Sequence, residues 1–182
     1  MTKIRFLLLT LIFPFLLISQ HNYTDFSSEK IRFSYPNTYT ISENRILMDV
    51  NVKLISNDIG SDGKKDQIGI NLNSMYSSFN EIKKEEVIKG MKEEIEQGGE
   101  ELGIDVKFTS LSYDSEIIDG KKIISMVSKT EFLEYNVVQN QMMYIYIENG
   151  KSCFISLSSG TLQELYDKKK DVDYILKTLM VL

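Results

Sequence analysis

The chain has no tryptophan, one histidine, one cysteine and two prolines in 182 residues, and each scarcity closes off a class of explanation. A single cysteine, Cys153, cannot form an intramolecular disulfide, so the fold rests on its apolar core. A single histidine, His21, sits in the N-terminal region and leaves a folded site without an imidazole base or a His-bearing metal set. No Gly-x-Ser-x-Gly elbow, phosphate-cradling glycine loop or zinc spacing occurs. Alanine is absent and arginine is confined to Arg5, Arg32 and Arg45, a usage that points to an AT-rich bacterial genome. Positive charge is also short: 21 basic residues stand against 26 acidic ones. Such a chain repels phosphate backbones, which excludes nucleic acid as a partner class. The run Lys168-Lys169-Lys170 is flanked by Asp167 and Asp171 and reads as a solvated helix face.

One long apolar run is present. Lys3 and Arg5 precede Phe6 to Ile18, interrupted only by Thr10 and Pro14. As a helix this run spans about 20 Å against a hydrocarbon core of about 30 Å, so residues 1–20 are expected to be a cleaved signal peptide. Ser19 is the small residue before the cut, and the exported chain is expected to begin near Gln20 or His21. Residues 21–182 then form one domain, in the periplasm or outside the cell, with no stable membrane span after cleavage.

Alternation dominates the rest of the chain. Ile31-Arg32-Phe33-Ser34-Tyr35 is a strand closed by Pro36. Ile46 to Ile55 and Ile68 to Leu72 are two more, joined as a hairpin by the turn-rich loop Asn57 to Gly63. Ser78-Phe79-Asn80-Glu81 has the capping-box pattern, and Ile88, Met91 and Ile95 share one helical face up to Gly98-Gly99. Four strands come next: Ile104 to Tyr113, Lys121 to Phe132, Asn140 to Ile147 and Lys151 to Ser158. Asp119-Gly120 and Asn149-Gly150 favour two-residue hairpin loops with positive φ. Met142 to Ile147 is apolar or aromatic on both faces, which predicts a sheet covered on both sides. Thr161-Leu162-Gln163-Glu164 is a second capping box, and Leu165, Val172, Leu176 and Leu179 share a stripe that fits one helix or two broken near Lys170.

Three stretches resemble the PsbP-like superfamily: Ile31 to Pro36 with Tyr39 three residues on, Asp119-Gly120-Lys121-Lys122 opening a strand, and the closing Ile175-Leu176-Lys177-Thr178-Leu179. The resemblance covers about residues 28 to 182. It implies an α+β fold, a single-domain α/β/α sandwich around a central antiparallel sheet. Members include extrinsic subunits of the oxygen-evolving complex, a Ran-binding import factor and secreted bacterial proteins, which share binding or assembly roles and no common active site. Fold alone does not select among these.

The residues themselves offer little chemistry. Asp58, Asp62 and Asp66 surround Gly60 and Gly63, but an EF-hand beginning at Asp58 needs Glu where Gly69 stands. Cys153 shares a strand face with Ile155 and Leu157 and is expected to be a buried, inert thiol. Glu93-Glu94 and Glu100-Glu101 read as surface charge. Tyr135, Tyr144 and Tyr146 gather near one hairpin, where phenols can bury area and still hydrogen bond. They are the candidate binding residues; the alternative is core packing. The expectation is an exported, non-enzymatic binding or accessory domain for a protein or small ligand, with no metal and no cofactor. The competing classes are a carboxylate-dependent hydrolase and a membrane-tethered accessory subunit with an uncleaved leader.

Overall fold

Period-two alternation sets the strands, which make up most of the regular structure. The computed structural model describes residues 22–43 and 50–182; the leader, His21 and the start of the strand expected from Ile46 lie outside them. In chain order the elements are β1 (Tyr23–Ser27), β2 (Ile31–Pro36), β3 (Tyr39–Glu43), β4 (Val50–Ser56) and β5 (Gln67–Asn73). Helix α1 (Lys84–Leu102) is followed by β6 (Val106–Ile118), β7 (Lys121–Phe132), β8 (Val137–Glu148) and β9 (Lys151–Ser159). The chain closes with α2 (Leu162–Asp167), α3 (Lys169–Thr178) and β10 (Met180–Val181).

Seven strands form one antiparallel sheet in the order β3-β4-β5-β9-β8-β7-β6, and β1-β2-β10 form a small second sheet. The hairpin dipeptides behave as their chemistry requires. Asp119 and Gly120 (φ 51° and 78°) and Asn149 and Gly150 (φ 54° and 69°) all take left-handed backbone, the pairing that matches the twist of the flanking strands.

One face of the large sheet buries Ile70, Tyr144 and Leu157 with Phe33 of β2, Leu165 of α2 and Leu176 of α3. The other face buries Phe108, Met126 and Ile145 beneath Val87, Ile88 and Met91 of α1. The molecule is therefore an α/β/α sandwich. Lys121 ties two layers together: its ammonium donates to the carbonyls of Leu176 and Leu179 at the end of α3, oxygens a helix terminus leaves without partners.

Four expectations are corrected. The first capping box does not open the helix. Ser78 makes no side-chain cap and precedes a short 3-10 turn, while the Glu81 carboxylate accepts from the Ser77 amide and hydroxyl at 2.7 Å. The helix then runs through Gly98-Gly99 to a left-handed Gly103. Gly99 is a packing position and not a stop: a Cβ there would lie 2.6 Å from Val106 Cγ2. The polar leader after residue 21 contains β1, and β10 follows the closing segment, which takes the two-helix alternative with its break at Lys168. Lastly, only half of the second sheet face is covered. Helix α1 lies over β6, β7 and β8, whereas outward residues of β3, β4, β5 and β9 such as Thr40, Gln67, Asn71 and Ser156 are exposed or half-buried.

Candidate functional site

Register fixes which loops meet. Tyr39 pairs with Ser56, Gln67 with Ser158, Asn140 with Ser159, and Val137 with Phe132, so the connections 57–66, 133–136 and 160–161 gather at one end of the large sheet. Between them lies a cleft of about 360 Å³, lined by Asp62 and Lys64 to Gln67, by Phe132, Tyr135 and Val137 to Gln139, and by Ser158 to Gly160.

The second capping box builds one wall. Thr161 Oγ1 accepts from the Glu164 amide at 3.2 Å, the N-cap bond that Thr favours. The Glu164 carboxylate reaches beyond its own helix: it accepts from the Ser61 amide at 2.7 Å, from the Thr161 hydroxyl at 2.9 Å and from the Ser159 hydroxyl at 3.3 Å. These bonds, the Ser61 amide foremost, hold its pKa down to about 2. The loop is pinned again where Asp62 Oδ1 accepts from the Lys64 amide at 2.9 Å. The Asp62 side chain lies so close to Gly160 that a Cβ there would be 2.5 Å from its carboxyl carbon, so only glycine lets the two segments meet.

Opposite stands Tyr135, 62% exposed, on the 3-10 turn Leu133–Tyr135 that a left-handed Asn136 ends. Asp66 is nearly buried at 7% exposure. Burial raises its carboxyl above the ordinary range, against a hydrogen bond from Ser159 and the charge of Lys168. Lys64 and Lys65 are exposed and form no ion pair with another described residue.

Of the three tyrosines picked out from sequence, the structure brings only Tyr135 to this cleft. Tyr144 is fully buried, its hydroxyl donating to Met142 Sδ at 2.8 Å, with Lys169 above its ring at 5.5 Å. Tyr146 is 6% exposed, with Lys121 5.2 Å from its ring. Burial raises both phenols well above their ordinary pKa. Both belong to the core and present no ring to a partner, because even positions of β8 face α3 while the cleft lies at the end of the strand. Cys153 is fully buried, and burial pushes its thiol up to about 12. Sequence reading weighed Asp62 and Asp66 only as calcium ligands and passed over Lys64 and Lys65. The dense turn Asn57 to Gly63 was visible, but not that Glu164, a hundred residues on, would clamp it.

The carboxylate pairs lie at the protein surface. Glu93, Glu94, Glu100 and Glu101 are exposed on α1, where Lys89 lies 3.6 Å from Glu93. Among the described residues no group of three or more His, Cys, Asp or Glu side chains could hold a metal ion, and no helix is long and apolar enough to cross a membrane.

No protein-family model and no curated protein matches the chain. Solved structures do. PsbP (CyanoP) of the cyanobacterium Synechocystis is similar over 91% of this chain and 96% of its own, at 12% identity and a TM-score of 0.63. The Ran-binding protein Mog1p of Saccharomyces cerevisiae is similar over 88% and 95%, at 9% identity and a TM-score of 0.55. A Bacteroides thetaiotaomicron protein is similar over 88% of this chain and 49% of its own, at 14% identity and a TM-score of 0.51. At these identities the likeness concerns the fold, which is PsbP-like, as the motifs around Pro36 and Gly120 implied.

Proposed function

We propose that the chain is an exported, non-enzymatic binding domain whose partner docks in the cleft beside Tyr135. The observation that carries this reading is the cleft itself: its walls are pinned by Glu164 and Asp62 before any ligand arrives, and an aromatic ring stands exposed at its rim. Preformed walls reduce the ordering that binding costs, and exposed tyrosines are frequent anchors at interfaces. The apolar leader supports export. The fold supports a binding role by analogy, since Mog1p is a Ran-binding protein, although a fold carries no function of its own.

Affinity capture from the native envelope tests the reading. Tyr135→Ala should weaken capture of the partner by about tenfold or more while leaving the thermal midpoint unchanged. Equal capture by the variant would sink it. Turnover in a broad hydrolase screen that Asp62→Asn or Asp66→Asn abolishes would establish the carboxylate enzyme instead, and recovery of Met1 on the exported protein would establish the tethered form.

A further inference from the structure

We infer that the ligand of this surface is a neutral oligosaccharide lying across the uncovered half of the sheet, with one sugar ring against Tyr135. This rests on the reading of the cleft as a binding site and adds the chemistry of what binds.

The floor running out of the cleft is made by outward positions of β5, β9 and β8. Gln67, Asn71, Ser156, Ser158, Gln139 and Gln141 occupy them, all exposed or half-buried, and register places Gln67 beside Ser158, Asn71 beside Phe154 and Gln141 across from Ser158. Adjacent strands lie about 4.8 Å apart and alternate residues of one strand about 7 Å apart, so this is a lattice of amides and hydroxyls on the scale of a sugar ring. Five of the six, Gln67, Gln139, Gln141, Ser156 and Ser158, make no side-chain hydrogen bond to another described residue. Each keeps its donors and acceptors for a ligand.

The floor also lacks a side chain at its middle. Gly69 sits opposite Ser156, and a Cβ there would be 2.9 Å from the Ser156 hydroxyl. Glycine thus removes the one side chain that would stand in the path from the cleft to Asn71. At the cleft end the exposed Tyr135 ring offers an apolar surface to the C–H face of a sugar while its hydroxyl stays wet.

Charge argues for a neutral ligand. The lattice side chains are uncharged, the cleft holds two lysines against two aspartates, and the chain carries a net charge of −5, which opposes polyanions. Composition argues against a protein across the floor. Interface centres are rich in aromatic, Met and Arg side chains, whereas this one is Gln, Asn, Ser and Gly, bordered by Lys53 and Ile55 of β4 and by Phe154. A partner strand would add at an edge of the sheet and not on its face.

The test is calorimetric titration of the protein, purified as its host processes it, with maltohexaose, cellohexaose and chitohexaose, and with a heparin hexasaccharide as the charged counterpart. At least one neutral hexasaccharide should bind, with little sensitivity to salt. Tyr135→Ala and Gln141→Leu should each weaken that binding by about tenfold or more with unchanged circular dichroism. Tyr166→Ala, on α2 behind the sheet, should leave it unaltered. No binding of any neutral sugar, tighter salt-sensitive binding of heparin, or indifference to both floor substitutions overturns the inference. If no sugar binds yet Tyr135→Ala still abolishes capture of a protein partner, the ligand class is wrong and the cleft reading stands. If capture is also indifferent, both fall.

Discussion

The two halves of one sheet face are built to opposite ends. Under α1, β8 turns Met143 and Ile145 outward, and Ile145 is wholly buried. Beyond the helix, on the same face of the same strand, come Gln141 and Gln139, half-buried and exposed. Two strands over, β5 is polar along all of that face, with Gln67, Gly69, Asn71 and Asn73, while Ile68, Ile70 and Leu72 fill the opposite core. A domain that needed only stability would gain from extending the apolar stripe, at about 25 cal/mol per Å² buried. That it stays amide and hydroxyl, next to a preformed cleft, is what the proposed binding surface accounts for.

The sharpest way to break that contrast is on β8 itself. Ile145→Ala should destabilise the domain by about 2 to 5 kcal/mol, the usual cost of a large-to-small change in a closed core. Gln141→Leu, four residues away on the same face, should stay within about 0.5 kcal/mol. Chemical denaturation of both variants checks the pair, and similar losses would mean that the open half is structural. Next in size is the seat of the helix: Gly99→Val should cost about 1 to 3 kcal/mol, because the added methyls meet Val106 and the Ile104 carbonyl. A thermal midpoint equal to wild type would show that α1 can lift from β6 without loss.

Gly150→Val should cost about 1 to 2 kcal/mol through its left-handed backbone, φ 69°, measured as a fall in thermal midpoint with binding unaffected. The Cys153 thiol, buried and shifted up to about 12, should react with a disulfide reagent only at the rate of unfolding; fast labelling of the native protein would refute its place in the core. The smallest effect concerns Glu164. Its pKa falls from 4.5 to about 2 on folding, so its stabilising effect is present above 4.5 and is lost as pH falls towards 2. Wild type and Glu164→Gln should therefore differ in thermal midpoint at neutral pH and converge in that acid window.

Much of this contrast could be read from the chain. Alternation in Ile68-Gly69-Ile70-Asn71-Leu72 marks a strand covered on one side, and the two-sided Met142 to Ile147 marks one covered on both. Reading the second pattern across the whole sheet led to the expectation of full cover, because a sequence does not show how far one helix reaches. Short edge elements were missed for a related reason: β1 and β10 are held by pairing with β2 and have little apolar pattern of their own. The capping box at Ser78 matched in residue type, but the Glu81 carboxylate bonds to Ser77 and leaves the helix to begin at Lys84. At the cleft, Tyr135 was visible as an aromatic in a turn. Tyr144 and Tyr146 carried the same signal and became core, since their positions on β8 face α3.

On this reading, ligands meet the protein at the end of the sheet marked by Tyr135. The most direct measurement places a photo-crosslinking amino acid at position 135, and separately at position 166 on the opposite layer, in the native host, and weighs the adducts after irradiation. A discrete adduct is expected from position 135 and none from position 166. An adduct at 166 with none at 135 would contradict it.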